Sequence, residues 1–231
     1  MSAKTDSIMV INQSTVLTDA QVQAVLGALQ AQITEDFAPI WNATANLKFG
    51  SANQQITKET WPVYVLDHTD HPGALGYHVD TLGRVSGRIF AADDLQCNAS
   101  WTVDLSHEIL EMLADPKTSA LITLPDGRQC LREVCDAVQS DAIGYLKQNV
   151  LVSNFVLPAY FFEGQGSKYD FCGKLGAPAP ALMPGGYLGV RDPKSGQWSQ
   201  ITAHLEDGST SLRSRRQGRT EFAARQMQVK N

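Results

Sequence analysis

The first long stretch with a readable period is "LTDAQVQAVLGALQAQITEDFAPIW". Val22, Val25, Leu26, Leu29 and Ile33 recur at three- and four-residue spacing, which aligns them on one face of a helix. Thr18 followed by Gln21 fits a capping box. The pattern predicts an amphipathic helix over 19–35, ended by Pro39. Before it, "SIMVINQS" reads as a short first strand. After it, "TWPVYVLDHTD" predicts a strand near 61–67. "HPGALGYHVDTLGRVSGRIFAADD" predicts an irregular, glycine-containing loop that runs into a strand near 85–92. A second helix is expected over 101–115. Asp115-Pro116 stops it, because the residue before proline is pushed out of helical geometry.

Beyond this helix the pattern turns to strand. "LPDG" reads as a turn, and "QCLREVCDAVQ" fits either a helix or a strand. "YLKQNVLVSNFVLPAYFF" is rich in β-branched and aromatic residues and predicts strands. Residues 164–186 read as an ordered loop, and "GYLGVRDPKSGQWSQIT" as a hairpin turning at "DPKSG". The element order predicts an α+β fold: a mixed sheet with an N-terminal helix and the 101–115 helix, followed by a β-rich C-terminal part. The expected organisation is one domain over 1–211 and a basic tail over 212–231.

Composition narrows this picture. Of 231 residues, 43% are hydrophobic and 19% charged, so the chain can bury a core. The net charge of −5 argues against a general nucleic-acid binder. The tail is the exception, with Arg213, Arg215, Arg216, Arg219, Arg225 and Lys230 against Glu221. It reads as a solvated terminus, or as a docking arm for an acidic partner or nucleic acid. No apolar run reaches spanning length and no secretory signal is visible, so a cytoplasmic protein without a membrane partner is expected. Cys97, Cys130, Cys135 and Cys172 show no CxxC spacing and are expected as free thiols.

The chemistry concentrates in "WTVDLSHEILEMLADP". On a helix, His107, Glu111, Asp104, Asp115 and Glu108 fall within an arc of about 100°. Leu105, Ile109, Leu110, Met112 and Leu113 take the other side. Between Arg88 and Lys117 the chain has no lysine or arginine but six carboxylates: Asp93, Asp94, Asp104, Glu108, Glu111 and Asp115. Like charges one turn apart on a helix repel by a few tenths of a kcal/mol each. A divalent metal ion would relieve that. His107 and Glu111, one turn apart, can reach one ion, and Glu108 lies close enough to act on a water beside it. A solvated polar face would show the same pattern. A third ligand is available in "EVCDAV". If that segment is helical, Glu133 and Asp136 share a face; if it is a strand, only one of them can bind. Asp136 is the first choice and Glu133 the second. One histidine with two carboxylates neutralises a divalent ion, which weakens zinc as a Lewis acid and widens the choice toward calcium or manganese. No G-x-S-x-G elbow, P-loop or dinucleotide fingerprint is present.

Residues 85–115 resemble the core of the zincin metallopeptidases. "RVSGRIFAA" is similar to their substrate-binding edge strand and "SHEILEM" to the active-site helix that follows it. The resemblance implies a zincin-like fold, a zinc ion held by His107 and Glu111 together with Asp136 or Glu133, and Glu108 as general base. It implies hydrolysis of a peptide or protein substrate by a metal-activated water. Glu111 stands where the family has its second histidine, a departure that bears on both affinity and rate. Of His68, His71 and His78, the last precedes the presumed edge strand and is the first candidate to bind metal or substrate, with substrate binding the expectation; polar loop residues are the plainer reading. "SHEILEMLADP" is also similar to uncharacterised proteins of bacteria and their phages. A chain of different class is therefore the alternative: a catalytically inactive structural or assembly protein, such as a phage particle component located in the virion.

Overall fold

The computed structural model describes residues 7–70, 74–162 and 166–203. The tail expected over 212–231 and His71 lie outside the described residues.

Strand β1 (Ser7–Asn12) leads into helix α1 (Asp19–Ala31). The capping box forms: the Gln21 amide donates to Thr18 Oγ1 at 3.3 Å, and the Thr18 amide donates to Gln21 Oε1 at 2.8 Å. The helix outruns its expected end. A π-helical turn at Gln32–Phe37 widens the ladder, and α2 (Ala38–Trp41) follows with Pro39 in its first turn. There a missing N–H is tolerated, so proline does not stop the helix. Asn42, with φ of 50°, closes it in the left-handed region.

Next come β2 (Asn46–Gly50), β3 (Thr60–Leu66), β4 (Gly76–Thr81) and β5 (Arg84–Phe90). They form a five-stranded sheet with β1, in the order β2-β1-β3-β5-β4. The β1–β2, β1–β3 and β3–β5 pairs are parallel, while β4 runs antiparallel to β5. The sheet is therefore mixed, as the pattern suggested. Two strands escaped that pattern. β2 is short and lies at one edge. β4 occupies residues read as loop, because five successive residues, Gly76–Asp80, are buried and no alternation survives. Leu82 and Gly83, with φ of 53° and 83°, make the two-residue turn between β4 and β5, a geometry that asks for φ above zero at both positions. β5 is consequently an inner strand, and the edge is β4; the expected edge role of "RVSGRIF" is corrected by this hairpin.

Short α3 (Ala91–Gln96) connects the sheet to α4 (Trp101–Ala114), which packs on β4 and β5. After α4 come β6 (Leu121–Thr123) and β7 (Gln129–Leu131), then 3₁₀ turns at Asp136–Val138 and Asp141–Ile143. The hairpin of β8 (Tyr145–Lys147) and β9 (Val150–Val152) lies against α4 and α1. Lys147 and Tyr145 fasten it to the N-terminal helix, with Lys147 Nζ 2.9 Å and the Tyr145 hydroxyl 2.8 Å from Asp36. "PAYF", expected as strand, forms one helical turn, α5 (Pro158–Phe161); Pro158 supplies the preset φ of a first turn. β10 (Tyr187–Arg191) and β11 (Trp198–Thr202) form the expected hairpin and join β7 and β6 in a four-stranded sheet ordered β11-β10-β7-β6. One apolar cluster runs from Ile8 and Val63 in the first sheet, through Leu105, Ile109 and Met112 of α4, to Phe155 and Val190. No helix among the described residues is long and apolar enough to cross a membrane.

Candidate metal centre

α4 buries both of its sides. Apolar Val103, Leu105, Ile109, Leu110 and Met112 are at most 1% exposed, and so are Asp104, His107, Glu108 and Glu111. The polar stripe is not a wetted surface. It is closed by β4 and β5 on one flank, and by β9 on the other. Residues 133–136 reach the same stripe through Cys135 and Asp136. Ser106 secures the β9 flank: its hydroxyl donates to the Val103 carbonyl and accepts the Ser153 amide at 2.8 Å. Close approach to the sheet depends on glycine. A Cβ on Gly87 would stand 2.9 Å from Met112 Sδ, and one on Gly76 2.7 Å from Glu108 Oε1.

The structure brings together six of the side chains expected to act. His107 Nε2 lies 3.0 Å from Glu111 Oε1 and 3.2 Å from Asp136 Oδ1. His78, from β4, places Nδ1 3.5 Å from Glu108 Oε2 and 3.9 Å from Glu111 Oε2. Donor atoms of His78, Glu111 and Glu133 all lie within 4.8 Å of one another. "EVCDAV" is neither the helix nor the strand considered for it. Glu133 lies outside any helix or strand and Asp136 opens a 3₁₀ turn, and both carboxylates reach the centre.

Other members of the acidic run do different work. Asp115 caps the following loop, its Oδ2 accepting the Ser119 and Ala120 amides at 2.9 and 2.7 Å. Its carbonyl meets His78 Nε2 at 3.1 Å. Asp93 holds exposed His68 at 2.8 Å, a bond whose charge raises the imidazole pKa. His68 is thus a loop anchor away from the centre. His78, expected at a substrate-facing position, has a fully buried side chain facing Glu108 and Glu111.

Sequence reasoning did not place Cys135 here. Its amide donates to Glu111 Oε1 at 3.2 Å, and its thiol sulfur lies within 4.8 Å of donor atoms of His107 and Glu111. Burial pushes this thiol well up, and the carboxylates of Glu111, Asp136 and Glu108 push it further. A neighbour of Asp136 in the chain carries no sequence signal of such a contact, because a bend, not a periodic element, turns it inward.

The donor set fits a divalent ion. Bonds of about 2.0–2.1 Å in a tetrahedral site separate two N or O ligands by about 3.3 Å. The two spacings at His107 fall close to that value, and the ring reaches both carboxylates through one nitrogen. The fold and site together define a mixed α/β protein with buried histidine, glutamate and cysteine groups that can hold a metal ion. No protein-family model, curated protein or solved structure matches this chain.

Proposed function

We propose that this chain is a zincin-like, metal-dependent hydrolase of peptide bonds, with His107, Glu111 and Asp136 as ligands of a divalent ion and Glu108 as general base. The observation that carries the reading is the placement of Glu108. A purely structural site has no use for an additional carboxylate, fully buried, next to but not among the residues that converge on His107. A site that retains Glu108 at this position, in a notch opened by Gly76, has the arrangement of a base beside a Lewis acid. Over 84–114 the inner strand β5 is followed by α3 and then by α4, which carries His107 and Glu108.

A divalent ion, when bound, supplies Lewis acidity toward water and a substrate carbonyl. The chain's own residues do the rest. Glu111 and Asp136 neutralise the ion's charge. Glu108 accepts a proton from the attacking water at its carboxylate and can deliver it to the leaving amine. His78, fixed through Nε2 to the Asp115 carbonyl, sets its other ring nitrogen 3.5 Å from Glu108 Oε2. Zinc is the expected metal for activity; neutralisation by two carboxylate ligands weakens it as a Lewis acid and widens the choice toward calcium or manganese.

One observation favours the second reading, an inactive structural or assembly protein on the same scaffold. His107, Glu108 and Glu111 are 0% exposed. Neither the cleft lined by Leu124, Tyr160 and Phe161 nor that lined by Trp61, Tyr64 and Arg88 includes them. The discriminating experiment is elemental analysis with a peptidase assay on wild type, His107→Ala and Glu108→Gln. The hydrolase predicts bound metal that His107→Ala removes. It also predicts cleavage that Glu108→Gln lowers by at least 10²-fold, the usual contribution of a general base, while an ion stays bound. Metal without any cleavage by wild type selects the structural reading.

A further inference from the structure

We propose that the centre is dinuclear: a second divalent ion binds between His78, Glu111 and Glu133, and Glu111 bridges it to the ion at His107. This rests on the metal-binding reading above and extends it.

The first support is the tautomer of His78. Its Nε2 meets a backbone carbonyl, that of Asp115, at 3.1 Å. A carbonyl oxygen only accepts, so Nε2 carries the hydrogen. In the neutral ring Nδ1 is then a lone pair. The side chain is fully buried, and Nδ1 makes no hydrogen bond among the described residues. It faces Glu108 Oε2 at 3.5 Å and Glu111 Oε2 at 3.9 Å. A lone pair turned toward Glu111 Oε2 at a distance too long for a good hydrogen bond, with a Glu133 donor atom within 4.8 Å of donor atoms of both residues, describes a position that suits a cation. Fixing one ring nitrogen on a carbonyl while the other binds is the usual way a histidine ligand is oriented.

The second support is the division of Glu111. Oε1 faces His107 at 3.0 Å and the Cys135 amide at 3.2 Å. Oε2 faces His78. One carboxylate thereby presents an oxygen to each of two donor groups, His107 with Asp136, and His78 with Glu133. Two-metal sites hold their ions about 3.5–4 Å apart across such bridges. The third is charge. The six side chains include four carboxylates, Glu108, Glu111, Glu133 and Asp136, beside two imidazoles, a formal charge of four negatives when every carboxylate is ionised. One divalent ion halves that; two cancel it. Donor atoms up to 4.8 Å apart suit a six-coordinate, oxygen-preferring ion better than a tetrahedral one, so the second position favours manganese over zinc.

The test is Mn(II) titration of the full chain, stripped by chelator and dialysed, with bound ions counted by elemental analysis and followed by electron paramagnetic resonance. Wild type is expected to bind two ions and His78→Ala one. At two equivalents the six-line signal of isolated Mn(II) gives way to an exchange-coupled spectrum. Saturation at one ion in both proteins overturns the proposal while leaving the single-ion reading intact. No bound ion in either overturns that reading as well. Two ions with an uncoupled spectrum overturn the bridge. If His78→Ala loses its circular-dichroism signature, Glu133→Gln takes its place. Two ions retained in that variant would put the second ion elsewhere and refute the assignment.

Discussion

Gly76→Ala probes the placement of Glu108 directly. The added carbon would stand 2.7 Å from Glu108 Oε1, 3.1 Å from Glu108 Cγ and 3.1 Å from the Arg88 carbonyl. Ordinary heavy-atom contacts lie near 3.5–4.0 Å, so all three are compressed by about 0.5–1 Å. Arg88 belongs to β5, paired with β4, and its carbonyl cannot retreat. Glu108 is buried and packed, so its shift is resisted too. Overpacking of this kind costs about 1–3 kcal/mol. Alanine returns about 0.4–1 kcal/mol through the unfolded chain. A net loss of about 1–2 kcal/mol is expected in urea denaturation. Glu108→Ala removes two of the three contacts, so Gly76→Ala in that background should be close to neutral. The double-mutant cycle then shows a coupling of about 1 kcal/mol or more. An equal effect of Gly76→Ala with and without Glu108 would refute the packing of this carboxylate against the edge strand, and with it the notch that holds the proposed base.

Two further perturbations test the supports around the centre. Ser106→Ala deletes the acceptor of the buried Ser153 amide, bonded at 2.8 Å, and should cost about 1–3 kcal/mol in the same assay; a loss below about 0.5 kcal/mol would mean that β9 does not rest on α4 through this bond. Asp67 tests the loop that leads into α1: burial opposes its ionisation, but hydrogen bonds from Ser14, Thr15 and Val16 outweigh that and hold the carboxyl below its ordinary range. A depressed folded pKa contributes stability that is present above the unfolded value, near 4, and is lost as pH falls through the folded one. The stability gap between wild type and Asp67→Ala, followed by thermal unfolding, should therefore be flat near neutrality and narrow below about pH 4; a gap unchanged at pH 3 would contradict the loop's hydrogen-bonded carboxylate.

Where periodicity and burial coincide, the fold was legible. α1 and its capping box, β1, β3, β5, α4 with its stop at Asp115-Pro116, and the hairpin at 187–202 all follow local rules. β4 was not legible, because a strand buried on both faces loses its alternation and its turn is Leu-Gly instead of a stronger turn pair. The passage of helix through Pro39 was hidden in a π turn that no local rule signals. In the centre, the partnership of His107 with Glu111 was visible as one helical turn. Asp136 and Glu133 were visible as candidates, but their choice was framed as helix against strand, and the chain adopts neither. His78 was read as loop because β4 was read as loop, so its place beside Glu108 could follow only from the hairpin. Cys135 was passed over for want of a second cysteine nearby, although its contact is made through long-range folding.

Burial of the ligands and hydrolysis are compatible if the two flanks of α4 differ in strength. On the β9 flank, the Ser153 amide bonds Ser106, and the Thr102 hydroxyl donates to the Leu151 carbonyl at 2.7 Å. The Cys135 amide also bonds Glu111, so opening there would dismantle the ligand set itself. On the other flank stands β4, the edge of its sheet, paired with β5 alone. His78 Nε2 ties β4 to the end of α4 by its bond to the Asp115 carbonyl. This edge covers Glu108, against whose carboxylate Gly76 packs, and Glu108 is the group a substrate would meet on the proposed reading. On the proposed reading an extended peptide would approach over β4, whose displacement would expose Glu108 and withdraw His78 from the second ion while leaving His107, Glu111 and Asp136 in place.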